Sequence, residues 1–251
     1  MPQTFKSDNT WSYEAGAKLR LLDNRLQLNT AVFYTDWNQI QTAVSLPTVT
    51  GVVCAYSYTV NAAKAVSQGV DLSANFRLFQ GLTGSVSATY NDAHYVGDLR
   101  APALPGKVGG LLINNGDTLP TPPWAVTVGL QYDRNLWGQY DGYLRGDYQY
   151  QSAFKDASGF GPGTSSYVPD AINGSQLRQV SMRAGVKFKG LDFSVFANNL
   201  TGLHDMLGSI TQGGRSGCST AACTTFSRYN PVFVGNFLRP REIGVALAYR
   251  Y

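Results

Sequence analysis

Nine stretches of this chain alternate apolar and polar residues with a period of two, and the connections between them alternate short and long without exception. Period two sends successive side chains to opposite faces, so each stretch predicts a strand with one apolar and one polar face. In the first, Trp11, Tyr13, Ala15, Ala17, Leu19 and Leu21 share one parity, and Ser12, Glu14, Gly16, Lys18 and Arg20 the other. In the second, Leu26, Leu28, Thr30, Val32 and Tyr34 oppose Gln27, Asn29, Ala31 and Phe33. The pattern recurs over 70–78, 82–91, 126–132, 144–150, 180–188 and 191–198, and closes in "EIGVALAYRY". Short links fall at Asp23 and Asn24, at Gln80 and Gly81, near 135–139, and at Lys189 and Gly190; long ones run over about 43–62, 97–120, 154–174 and 203–240.

Alternation alone suits a soluble sandwich as well as a membrane barrel, since either has one apolar and one polar face. The connections separate the two. A sandwich has no reason to keep every long loop at one end, whereas an outer-membrane barrel has short periplasmic turns and long outer loops. Trp11, Tyr13, Tyr34, Trp37, Tyr90, Trp124, Tyr132 and Trp137 cluster near strand ends, where interfacial girdles need aromatic rings. The expected fold is therefore all-β: an antiparallel transmembrane barrel portion of about nine strands. Val128, Leu130, Val186, Phe193, Val195, Val245 and Leu247 are expected to face lipid, and Thr127, Ser194 and Ala246 the lumen.

Composition agrees. Charged residues make up only 14% of the 251, and the chain is rich in Gly and Tyr, at 27 and 15. No apolar stretch reaches the roughly 20 residues of a membrane helix, but a barrel needs apolar residues only at every second position. The net charge of +4 is spread along the chain without a basic run, so no nucleic-acid partner is expected. The two histidines, His94 in "NDAHYVG" and His204 in "TGLHDML", sit in no Ser or Cys nucleophile motif, and no enzyme activity is expected. "CSTAAC" has two potential ligands where a closed zinc site needs four, and "GFGPG" and "GGRSG" lie in long loops, not between strand and helix; neither a metal nor a cofactor is implied. Cys218 and Cys223 lie in a polar loop and are candidates for a disulfide in an oxidising compartment, with Cys54 as a competing partner for either.

The stretches "WSYEAGAKLRLLDNRLQLNTAVFYTDWNQIQT", "NAAKAVSQGVDLSANFRLFQGLTGSVSATYNDAHY", "TPPWAVTVGLQYD", "RAGVKFKGLDFSVFANNLTG" and "RPREIGVALAYRY" follow one another as in the carboxy-terminal part of TonB-dependent outer-membrane receptors, which this chain resembles over nearly its whole length. The resemblance implies the bacterial outer membrane and a 22-stranded barrel whose lumen holds an amino-terminal plug. Residues 1–251 would then supply its last nine strands, with the plug and about thirteen strands elsewhere in a longer receptor. "MPQTFKSDNT" has no apolar core of a signal peptide, which fits that expectation. The implied function is active uptake of a scarce small ligand, such as a siderophore-like metal chelate, driven through TonB, which the missing amino-terminal part would contact. Further implied partners are outer-membrane lipid and the barrel assembly machinery, for which Tyr249 and the final Tyr251 resemble the insertion signal. The alternative is a passive porin or small self-contained barrel, which needs an even strand count.

The residues expected to line such a lumen are Glu14, Lys18, Arg20, Asp71, Arg77, Arg145, Asp147, Arg183 and Lys187. A wide wet lumen also tolerates such charges without any one of them binding a ligand.

Overall fold

All nine alternating runs join one antiparallel sheet, in which each strand pairs with its neighbour along the chain. The strands are β1 (Asn9–Leu21), β2 (Leu26–Asn38), β3 (Lys64–Phe79), β4 (Leu82–Val96), β5 (Trp124–Trp137), β6 (Tyr140–Gln151), β7 (Leu177–Phe188), β8 (Leu191–Asn198) and β9 (Glu242–Tyr249). The architecture is that of a barrel wall, open between β1 and β9. These facts come from a computed structural model that describes residues 4–45, 57–61, 63–100, 111–155, 174–207, 216–218, 226–228 and 236–250. Three short hairpins not anticipated from the sequence lie within the long connections: Gln41–Ser45 with Ser57–Asn61, Leu99–Arg100 with Leu111–Ile113, and Ser216–Cys218 with Phe226–Arg228.

The short links are tight because their backbones are left-handed. Lys189 and Gly190 both have positive φ, at 44° and 82°, which matches the twist of the strands they join. The β1–β2 turn runs through Leu22, Asp23 and Asn24 at 56°, 53° and 62°; Asp and Asn suit that region and Leu does not.

The register tilts the strands. A row of paired residues that starts at Leu21, the last residue of β1, passes through Leu26, Phe76, Gly84, Leu130, Gly146, Met182 and Ala197 and ends at Ile243, the second residue of β9. Such a stagger is what a sheet needs in order to curve into a barrel.

Every member of that row is apolar or glycine, and the face it belongs to is exposed. On interior strands, Val32, Val70, Leu130 and Phe193 are 53%, 41%, 44% and 52% accessible. A contiguous apolar surface of this extent is unstable in water and suits lipid. No helix among the described residues is long and apolar enough to cross a membrane. The described buried apolar side chains, Ile40, Ala65, Val66, Ala93, Ile113, Met206 and Leu238, all lie at the end where the long connections emerge.

Two register shifts set the aromatic belts. One, between Arg77 and Phe79, skips Leu78 and pairs Phe79 with Leu82, so that its ring meets Tyr132 at 6.2 Å on the apolar face. The other pairs Tyr140 with Trp137 while Asp141 pairs with Asn135. Trp137, Tyr140 and Phe188 then form a continuous cluster, with centroids 5.8 Å and 4.5 Å apart. At the opposite end Tyr13 pairs with Tyr34, and Tyr90 meets Trp124 in a tilted contact at 4.8 Å. Trp124 and Tyr132 on β5 are about 26 Å apart along the strand at 3.3 Å per residue, close to the apolar band of outer-membrane barrels.

The girdle expectation fails for Trp37, and one expected polar-face position is covered. Trp37 falls on the polar face, where its indole Nε1 donates to Asp8 at 3.0 Å. Ser194 is on the polar face but only 2% exposed, because Tyr143 reaches across Gly185, its cross-strand partner, to Asp192.

Candidate functional site

The polar face carries the charge. Glu14, Lys18 and Arg20 stand there on β1, Asp71 and Arg77 on β3, Arg145 and Asp147 on β6, and Arg183 and Lys187 on β7. The register brings three of them into one row, Arg77–Thr83–Gln131–Arg145–Arg183, although they are far apart in sequence. Glu14 and Lys18 lie apart from that row.

Arg145 is held by Asp147 through two parallel bonds, Nε to Oδ2 and Nη2 to Oδ1, both 2.8 Å. Gly129 makes room for this fork: a Cβ there would lie 3.0 Å from Asp147 Oδ1. Asp71 accepts from Thr89 Oγ1 at 2.6 Å. Among the described residues, Glu14, Lys18, Arg20, Arg25 and Arg77 make no side-chain hydrogen bond or ion pair. Arg25 and Arg77 join Arg145 around one concavity at the short-turn end, floored by Gln27, Asn75 and Gln131. Asp147 neutralises only Arg145, so the concavity keeps two free guanidinium groups, a setting that attracts carboxylate or phosphate anions.

The other two cations lie on aromatic rings that themselves lie on glycines. Arg183 sits 5.4 Å from the Phe196 centroid, and a Cβ on Gly244, opposite Phe196, would come within 2.6 Å of that ring. Lys187 sits 5.0 Å from the Tyr143 centroid, and Gly185 opposite Tyr143 is covered in the same way. Tyr143 also donates to Asp192 at 3.0 Å. Phe33 covers Gly69 on the same face. These stacks fix long side chains against the wall and leave little for them to offer a ligand.

At the other end, side chains fasten the bases of the long connections. Asn199, 1% exposed, donates from Nδ2 to the carbonyls of Leu203 and Arg239 at 2.7 and 2.9 Å and accepts from Leu203 N at 3.1 Å. One amide thus joins the start and end of the longest connection. Ser175 Oγ bonds both N and O of Met206 at 2.9 Å, which links the third long connection to the fourth. Asn61 bonds Lys6 and Gln39, and Thr118 Oγ1 donates to the carbonyl of Lys155. At the base of the first connection, Lys64 and Asp36 pair at 2.6 Å.

Sequence reasoning did not single out Arg25, which opens the second run beside the Asp23–Asn24 turn, and it missed the aromatic–glycine pairs, which only cross-strand register reveals. Tyr249 pairs with Leu191 and is exposed on the apolar face. Tyr251, Cys54, Cys223 and the side chain of Cys218 lie outside the described residues. His94 lies 3.3 Å from Asp92 at a strand end. Among the described residues no three His, Cys, Asp or Glu side chains gather as a metal site would require.

A family model described as TonB dependent receptor-like, beta-barrel matches residues 2–200. No curated protein matches the chain. Among solved structures, the ferric yersiniabactin uptake receptor FyuA from Yersinia pestis is similar at 16% identity and a TM-score of 0.63, over 96% of this chain and 30% of that one. The siderophore receptor PiuA from Acinetobacter baumannii is similar at 17% identity and 0.63, over 96% and 28%. The FrpB iron transporter from Neisseria meningitidis is similar at 14% and 0.59, over 99% and 31%. The chain therefore spans less than a third of each of these structures.

Proposed function

The chain belongs to the TonB-dependent receptor β-barrel family of the bacterial outer membrane, and we propose that it forms nine wall strands of a receptor for active uptake of a scarce anionic ligand such as a metal chelate. In this reading it is the carboxy-terminal portion of the barrel. The apolar face meets lipid, the polar face lines the lumen, the short turns face the periplasm and the long connections face outside. A plug outside this chain contacts TonB, and the assembly machinery reads the end of β9 with Tyr249 and Tyr251.

The observation that carries this reading is the polar concavity at the short-turn end with Arg25 and Arg77 uncompensated beside Arg145. A lumen wall with free cations attracts an anionic chelate and slows its escape. The hydrogen bonds above it fasten the ends of the outer connections to the wall, which lowers the entropy those ends lose when a ligand docks. The similar structures described as siderophore and iron receptors support the same ligand class. The passive-porin alternative is not favoured, because the family match is to TonB-dependent receptors.

Uptake of iron-loaded catecholate and hydroxamate chelates by cells that depend on the full-length receptor tests the proposal. Accumulation of one of them that stops when TonB is deleted supports it. Accumulation that persists without TonB, or uptake of none under iron starvation, overturns it.

A further inference from the structure

Arg134 is a cation on the wrong face. It stands on β5 opposite Gly142 of β6, in a row that continues through Val186, Phe193 and Leu247. Every other member of that row is apolar or glycine. Arg134 is exposed, and among the described residues it has no hydrogen-bond or ion-pair partner. A bare guanidinium on a lipid-facing surface needs an anion, and near the membrane interface the anion at hand is a lipid phosphate.

A groove opens beside it. Ala184 makes its floor, Tyr132 and Leu144 rise on one side, and Val186 and Phe193 on the other. Leu136 closes over Gly142, where a Cβ would lie 2.9 Å from its side chain. The lining is almost wholly apolar apart from Arg134, and Ala184 leaves a hollow where a larger side chain would give a flat surface. The cluster of Trp137, Tyr140 and Phe188 sets the depth. Such rings sit at headgroup level, and Arg134 is about 10 Å from Trp137 along the strand, within snorkelling reach of that level.

We propose that this groove binds one phospholipid of the periplasmic leaflet, its phosphate on Arg134 and an acyl chain over Ala184 and against Leu136. The proposal rests on the reading that the apolar face meets lipid. Free phosphate fits it poorly, because the groove offers one guanidinium and otherwise mainly apolar surface.

Native mass spectrometry of the full-length receptor, released from detergent with added phosphatidylglycerol, reads the site. The unaltered receptor is expected to retain one phosphatidylglycerol. Arg134→Gln is expected to lower its apparent affinity about tenfold. Ala184→Phe, which fills the groove and keeps the charge, is expected to lower it similarly. Lys189→Gln, in the neighbouring turn, is expected to leave it unchanged, and millimolar inorganic phosphate is expected not to displace the lipid. Unchanged retention in either groove variant, an equal loss in Lys189→Gln, or displacement by phosphate overturns the site. Val195→Arg separates the two claims: if that receptor assembles as well as the parent, the lipid-face reading itself fails; if it assembles poorly while Arg134→Gln retains its lipid, only the groove falls.

Discussion

The ring of Phe196 on β8 lies over Gly244, its registered partner on β9, so closely that a Cβ on Gly244 would come within 2.6 Å of it. A glycine in a strand weakens it, and a cross-strand aromatic ring restores the lost packing. Gly244→Val should destabilise the full-length barrel by about 1–3 kcal/mol through overpacking. Phe196→Ala should cost about 1 kcal/mol as a lost cross-strand pair. The double variant should cost less than the sum, because the ring that clashes is gone. Urea titration of the receptor in lipid vesicles measures all three, and strict additivity would show that the two residues do not interact.

Replacing Val128, Val195 or Leu247 by Arg should cost about 2–4 kcal/mol near mid-membrane, and the same change at Thr127 or Ala246 much less. Ser194 is not a fair control, since it is buried under its neighbours on the polar face. The same titration decides: equal costs on the two parities would reverse or abolish the face assignment.

Asn199 combines a left-handed backbone, φ 47°, with four side-chain hydrogen bonds at the base of the longest connection. Asn199→Ala loses the bonds and keeps the strained backbone; Asn199→Gly loses the bonds and relieves it. Both should loosen residues 199–241, with Ala worse than Gly by about 1 kcal/mol. Limited proteolysis and hydrogen exchange of the receptor report this. Protection equal to the parent in both variants would mean that other contacts hold the base.

Arg25→Ala with Arg77→Ala should weaken uptake of anionic chelates while leaving barrel stability within about 0.5 kcal/mol, because neither guanidinium has a side-chain partner to lose among the described residues. Asp147→Ala should cost under about 1 kcal/mol for its half-exposed pair with Arg145 and should raise, not lower, capture of the anion. Chelate binding to purified receptor at two salt concentrations checks both; unchanged capture in the arginine variants would remove the concavity from the uptake path.

The faces, the strand count and the alternation of turns and loops were legible in the sequence because they are local. Successive Cβ atoms on a strand point to opposite sides whatever the rest of the chain does, so Leu19 and Arg20 declare their faces by adjacency alone. Positive φ at Lys189 and Gly190 is also local, and the pair reads as a turn between two alternating runs. Register is not local. That Arg77, Arg145 and Arg183 share one row, that Phe196 finds Gly244, and that skipping Leu78 turns Phe79 outward depend on how far each strand slides past the next. The sum of many weak cross-strand pairs sets that slide, and no single run of residues contains it. The amide of Asn199 and the carbonyl of Arg239 stand 40 residues apart and meet at 2.9 Å only when β8 and β9 are already paired. The sequence by itself determined which side of each strand is apolar and which is polar. Tertiary structure alone decided which side chains on that side become neighbours, because pairing energy is shared between strands and belongs to neither.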